Sequence, residues 1–294
     1  MANVVLRMAW IAELIKRFDN LNEDFLQNVP DYTSFVGNNV INMNEIGADP
    51  AVLIDNTVYP LAASQREDEG RIASLRKMET EVTIITDDEL YALPYDKKGS
   101  VLDRHLIALR KEALKITLHS IAPAGLTADT PVLETSGNAN LHGDKALTPK
   151  DLVSFREKLN DLGVPNDGCN LVLCNEHMAD LQSIDDVFRN RYVDIMTGKP
   201  IPYCGFNIFH NLYTVRYQDK AKVAYNAASI DAMKNASVAF YAPNAMKARG
   251  TVKMYYAAAE LNPRYKQNEV SFTMRFLATM KKQTGCGAIV SVAH

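Results

Sequence analysis

Residue types able to carry chemistry come together in only a few places along this sequence. Glu176, His177 and Asp180 fall close together, and a carboxylate beside an imidazole is the raw material of general acid–base work or of a metal site. The plainer alternative is the start of a helix, with acids set against the positive end of its dipole. Gly137 to Lys145 (GNANLHGDK) approaches a phosphate-binding loop. Such a loop follows the pattern GxxxxGK[ST], in which backbone amides cradle the phosphates and the lysine reaches them. Here five residues separate Gly137 from Gly143, and Asp144 stands in the lysine's place. The stretch therefore reads as a surface loop, in keeping with its turn-forming composition.

The remaining candidates fail on spacing. Cys169, Cys174, Cys204 and Cys286 form no CxxC pair, so neither a zinc site nor a disulfide framework is supported, and they read as buried thiols. The six histidines (His105, His119, His142, His177, His210 and His294) include no HExxH pair, and no GxSxG elbow occurs. The doublets Asp87-Asp88 and Asp185-Asp186 project in diverging directions on any regular element and read as solvated surface. Lys97-Lys98 and Lys281-Lys282 are too small for a nucleic-acid footprint. No catalytic residue, cofactor-binding residue or metal ligand is assigned, and no cofactor is expected.

With no chemistry to position, the elements themselves become informative. Trp10, Ile11, Leu14, Ile15 and Phe18 recur at helical spacing, and their apolar face must fold back on the chain's own core or dock on a neighbour. From Asn28 to Pro50, Asn, Gly, Pro and Asp predominate, which predicts an extended arm. Ala51 to Ala63 and Leu75 to Thr86 are strand-like, separated by the polar SQREDEGRIAS with Gly70 as a turn residue. Together they predict a hairpin whose arms reach roughly 40 Å. A lone two-stranded ribbon has nothing to cover its faces, so it must lie on its own domain or on an adjacent copy.

Ser100 to Ile121 is the strongest helix, with Ser100 as expected N-cap and Leu102, Leu106, Leu109, Ala113 and Ile116 in one stripe. Thr148-Pro149-Lys150-Asp151 predicts the start of a second helix, stopped by Gly163. Asn170 to Cys174 reads as a buried strand, and Glu176 to Leu181 as a short helix. Later strand-like runs occur at 206–209, 215–217, 251–257, 270–276 and 288–292, with an Ala-rich piece over 229–241 expected to be helical. The class is mixed α+β.

Bulk properties narrow the function further. The chain has 294 residues, 47% hydrophobic and 23% charged, the composition of an ordinary folded protein. A net charge of -3 argues against phosphate-directed nucleic-acid binding. No apolar run reaches membrane-spanning length, and no signal peptide is recognisable, so a soluble cytoplasmic product is expected.

An arm, a charged-tipped hairpin, a long helix, a helix–strand unit and a final mixed segment, in that order, resemble the tailed-bacteriophage major capsid protein family and its Hong Kong 97-type fold. The resemblance spans essentially the whole chain. It implies an N-terminal arm over 1–50, an extended loop over 51–90, a peripheral domain with a spine helix over 91–183, an axial domain over 184–259, and a return to the peripheral domain over 260–294. LTPKDLVSFREKLNDLGVP and NLVLCNEHMADLQ look like the peripheral domain's second helix, strand and short helix. In the family the loop is covered by the next subunit. Arg66, Glu67, Asp68, Glu69 and Arg71 at the hairpin tip, with Trp10 and Phe18, are thus the expected inter-subunit contacts.

Function by resemblance is self-assembly into hexamers and pentamers of an icosahedral virion shell, built in the host bacterial cytoplasm. A portal protein and packaged DNA, held by proximity, would be partners. Some members carry a long N-terminal scaffolding segment. This chain begins at the arm, which implies a separate scaffolding protein or none. An encapsulin-type nanocompartment shares the fold and is the alternative; a two-domain α+β enzyme is a third reading, for which no motif speaks.

Overall fold

The structure, a computed structural model, describes residues 2–19, 25–45, 52, 54–57, 59–60, 69–86, 97–190, 201–262 and 264–294. Two sheets organise them. Strands β12 (Ala245–Ala257) and β13 (Gln267–Met280) form a long antiparallel pair. The other edge of β13 carries β3 (Arg76–Glu79) and β4 (Thr83–Thr86) one after the other. Alternation of apolar and polar residues from Val270 to Met280 buries Val270, Phe272, Met274, Phe276 and Ala278, as expected of a sheet with one covered face.

That cover is a 25-residue helix, α2 (Lys97–Ile121), about 37 Å long. Val101, Leu102, Leu106, Leu109, Ala113 and Ile116 pack on the long sheet. Helix α2 begins three residues before Ser100, so Ser100 lies within its first turn rather than capping it; Lys97 and Lys98 are good helix formers, and they start the helix early despite Gly99. Its C-terminus is closed from afar. The Lys222 ammonium donates to the carbonyls of His119 (2.8 Å) and Ala122 (2.6 Å), supplying positive charge where the helix dipole is negative.

The second sheet runs β10 (Ala221–Lys222), β9 (Val215–Gln218), β11 (Met233–Tyr241), β6 (Cys169–Leu173), β8 (Phe206–His210) and β7 (Ile201–Tyr203). Strand β14 (Cys286–Val290) lies on the other edge of β11 and pairs in parallel with β5 (Val132–Glu134). Helices α3 (Pro149–Asp161) and α4 (Asn175–Ile184) are laid out along this sheet's sequence. One face packs on Leu152, Phe155, Leu159, Met178 and Leu181 of these helices. The other packs on Leu114, Leu118 and Ile121 of α2 and on Phe25 and Val29.

Three expectations need correction. Residues 229–241 do not form a helix: 233–241 are strand β11. Because β11 has neighbours on both edges and layers on both faces, small residues such as Ala236, Ser237 and Ala239 suit its crowded position, and packing overrides the helix propensity of alanine. The hairpin pairs differently. Strand β1 (Val40–Glu45) pairs with β2 (Glu69–Ser74), in register from Val40↔Ser74 to Glu45↔Glu69. Part of the presumed arm is thus one leg of the ribbon, and part of the presumed tip is the other, while 76–86 joins the long sheet. Finally, the helix–strand–helix unit 149–184 packs on the second sheet and not on the α2 sheet, because its apolar side meets β6, β8 and β14.

The start of α3 follows its sequence signal. Thr148 Oγ1 accepts from the Asp151 amide, and the Asp151 carboxylate accepts from the Thr148 amide, with Pro149 in the first turn. Asp151 also takes the Ser136 hydroxyl and amide. Thr148→Ala is expected to cost about 1 kcal/mol, and Asp151→Ala roughly 2–3 kcal/mol because it leaves more buried donors unpaired. Urea unfolding of the two variants measures both values, and equal losses would contradict this ordering.

Candidate functional site

The residues of the acid–imidazole cluster are each tied into the surrounding structure. His177 is fully buried, with Nδ1 2.7 Å from Ser237 Oγ on β11 and Nε2 3.0 Å from Ser291 Oγ after β14. Glu176 accepts from Asn235 Nδ2 at 2.7 Å and, through its other oxygen, from the same Ser291 hydroxyl at 3.5 Å. Asp180 accepts from the Leu147 amide at 2.9 Å. Glu176 and His177 thus tie α4 to the sheet side by side, and Asp180 ties it to the chain before α3. Burial lowers the His177 pKa to about 4, an effect only partly opposed by Asp180, Glu176, Asp151 and Asp144. Burial likewise pushes the Cys174 and Cys286 thiols up to about 11, so neither is a thiolate at neutral pH. Among the described residues no cluster of three His, Cys, Asp or Glu could hold a metal.

Residues 137–146 are a loop most of whose amides are already spent. The amides of Gly137, Asn140, Gly143, Lys145 and Ala146 donate to the carbonyls of Ala146, Asp144, Asn140, Val292 and Asn138. Those of His142 and Asp144 donate to Asn140 Oδ1. An anion would find no cradle of free N–H groups. The loop is tied to β11 by Lys234 Nζ, 2.6 Å from Asp144, while Leu141 at its tip is 98% exposed.

What the chain leaves unsatisfied is apolar surface. The ribbon's base is seated on its own body, with Ile41 and Met43 buried against Met246 and Ala248. Ile72, opposite Asn42 on the ribbon, is 70% exposed, and further along the chain Val52 is 86% exposed, Ile54 83% and Tyr59 73%. Large apolar residues are tolerated singly on surfaces, but several of them exposed close together in the chain mark a docking surface.

The expected contact residues fall in different places. Arg71 is exposed on β2, in register with Met43. Glu69 opens β2 opposite Glu45. Arg66, Glu67 and Asp68 lie outside the described residues. Trp10 and Phe18, on helix α1 (Ala2–Asp19), are half-buried on the chain's own core, Phe18 meeting Phe276 edge-on at 6.1 Å. Sequence reasoning passed over Ile72, Val52, Ile54 and Tyr59 as contact residues, having read them as part of the hairpin and its tip. The alternation Val40-Ile41-Asn42-Met43-Asn44 was the available signal that the first leg lies earlier in the chain.

No protein-family model matches the sequence, and no curated protein is similar to it in sequence. Solved structures are similar to it in fold. The capsid of Ralstonia phage GP4 is similar over 93% of this chain and 92% of that chain, with a TM-score of 0.68 and 9% identity. The capsid of a native GTA particle is similar over 92% and 90%, with a TM-score of 0.63 and 10% identity. A virus-like particle from Pyrococcus furiosus is similar over 97% of both chains, with a TM-score of 0.55 and 13% identity. At these identities the likeness is one of fold: the chain has the Hong Kong 97-type capsid fold, a mixture of helix and sheet.

The buried imidazole yields a pH dependence. An unfolded chain protonates His177 near its ordinary pKa of about 6.5, whereas the folded chain resists until about 4. Stability is therefore full above the unfolded value and falls as pH drops from there towards about 4, by roughly 3 kcal/mol. Burial lowers His105, His119 and His210 as well, and they act in the same sense. Urea midpoints at neutral pH and near pH 4.5 measure the loss; His177→Gln should flatten the slope, and an unchanged slope would refute the assignment to this residue.

Proposed function

We propose that the chain is the major capsid protein of a tailed bacteriophage, assembling with copies of itself as hexamers and pentamers of an icosahedral shell. The observation carrying this reading is the exposed apolar side chains of Val52, Ile54 and Tyr59, with Ile72 on the ribbon, on a fold otherwise seen in the capsids above. Covering these side chains with a sister copy removes apolar surface from water at roughly 25 cal/mol per Å². Heterologous contacts of this kind close into rings and shells.

In this reading the α2 sheet takes the peripheral role and the larger sheet the axial one, with 1–50 and 51–90 contributing the arm and extended loop. The shell forms in the host bacterial cytoplasm and becomes part of the virion. A portal protein and a separate scaffolding protein would be its partners. DNA is enclosed rather than gripped, consistent with the net charge of -3 and its lack of a basic excess. None of the described helices is long and apolar enough to cross a membrane.

The likeness to the Pyrococcus furiosus virus-like particle favours one second reading, an encapsulin-type compartment that holds protein cargo instead of a genome. Its TM-score of 0.55 is below the 0.68 of the phage GP4 capsid. Negative-stain microscopy of the expressed chain separates the two: a small shell with a protein inside favours the compartment, and a larger one suited to a genome favours the phage.

The acidic run 67–69 supplies the direct test. Reversing Glu67, Asp68 and Glu69 to Lys should lower particle yield severely while the circular dichroism of the isolated chain stays unchanged. Normal yield would remove the run from the assembly contacts.

A further inference from the structure

A cleft of about 760 Å³ lies between α2 and residues 76–83, which hold β3 and the start of β4. Its size is within the range of pockets that take small organic molecules. Its helical wall runs from Val101 to Ile116, about 22 Å at the helical rise. The space is therefore long and narrow. Met78, Val101, Leu109 and Ile116 give it an apolar lining, which suits an extended hydrocarbon better than a compact polar solute.

One polar group in the cleft is buried without a partner. His105 is 5% exposed and its ring rests on Phe272 at 5.3 Å, yet Nε2 has no hydrogen-bond partner among the described residues. A nitrogen left so is costly, and a ligand oxygen within hydrogen-bond distance removes that cost. Arg104, the residue before it on α2, is exposed and lines the same cleft. The charges there are uneven. Glu79 is paired with Lys77 at 2.6 Å and Glu112 with Lys115 at 3.4 Å. The other lining charges, Arg76, Arg104 and Glu81, make no ion pair among the described residues, which leaves positive charge in excess.

These groups define a head as well as a tail. Burial lowers the His105 pKa, so the ring is neutral at neutral pH and can present Nε2–H as a donor. The Arg104 guanidinium offers donors and charge, so the matching head group is an anionic acceptor. A carboxylate fits, because its two oxygens can take one donor each.

We propose that the cleft is a binding site for a straight-chain carboxylate. One carboxylate oxygen accepts from His105 Nε2–H and the other from the Arg104 guanidinium, while the hydrocarbon lies along Leu109 and Ile116 with Met78 opposite. The site is complete within one chain and does not depend on the shell reading.

The test is calorimetric titration of the full-length chain with dodecanoate below its micellar concentration. The expected result is saturable binding of a single dodecanoate per chain, with no competition from dodecyltrimethylammonium, which has the same tail and the opposite charge. Arg104→Glu, at an exposed position, should weaken binding roughly tenfold or more without moving the thermal midpoint. Ala108→Trp fills the cleft from its helical wall and should abolish binding. His105→Phe keeps a ring against Phe272 but removes the nitrogen, and it should weaken binding in the same sense as Arg104→Glu. The proposal is overturned by an absence of saturable binding, by equal binding of the ammonium, or by undiminished affinity in these variants.

Discussion

The architecture depends on one helix burying two apolar stripes in two directions. Along its first two-thirds α2 turns Leu102, Leu106, Leu109, Ala113 and Ile116 to the long sheet. In its last turns it turns Leu114, Leu118 and Ile121 to the second sheet. Neither sheet has another helix of that length to cover it among the described residues, so the two cores are joined by a shared rod rather than by a flexible linker. The Lys222 cap and the His119 contact with the Val223 carbonyl at 2.9 Å fasten the far end of that rod to the second sheet. Stability lost at this junction would loosen both cores at once, which is why the helix end is held by side chains from β10 and its flank and not by solvent.

Against this rigid pair, the ribbon is a contrast in energetics. Its base is fixed by Ile41 and Met43, but Val52, Ile54 and Tyr59 stay exposed on the chain that carries them. Burying one such side chain is worth roughly 1.5–3 kcal/mol. A single contact of that size is too weak to hold two proteins together against the entropy lost on association. Repeated around a closed assembly it becomes sufficient, and it discourages stray dimers in the meantime.

Much of this was legible in the sequence wherever a local signal decides the outcome. The Thr148-Pro149-Asp151 start, the α2 stripe and the buried strand at 169–173 follow from capping, periodicity and apolar runs. What was not legible was decided by partners distant in the chain. Met233–Tyr241 is a strand because β6, β9 and β14 flank it, not because of its own composition. The ribbon's register was misread because Ile41 and Met43 owe their burial to Met246 and Ala248, some two hundred residues later. The acid–histidine cluster looked chemical in sequence, but Ser237 and Ser291, which turn His177 into a strut, lie on other elements. The exposed Val52, Ile54 and Tyr59 had a β pattern, and only the fold reveals that nothing among the described residues covers them.

The place where ribbon and long sheet meet has a mechanical meaning. Strand β12 carries an irregularity between Arg249 and Val252, and at Gly250 a side chain would sit 2.9 Å from Leu75 Cδ2. Leu75, buried between the end of β2 and the start of β3, rests in the gap the glycine leaves. One ladder stops before it and the other begins after it, so the leucine works like a peg in a drilled hole. It fixes where the ribbon departs, while Ile41 and Met43 on Met246 and Ala248 hold its direction. Any side chain at position 250 would drive the peg out and shift the ribbon as a whole, with both cores unaltered.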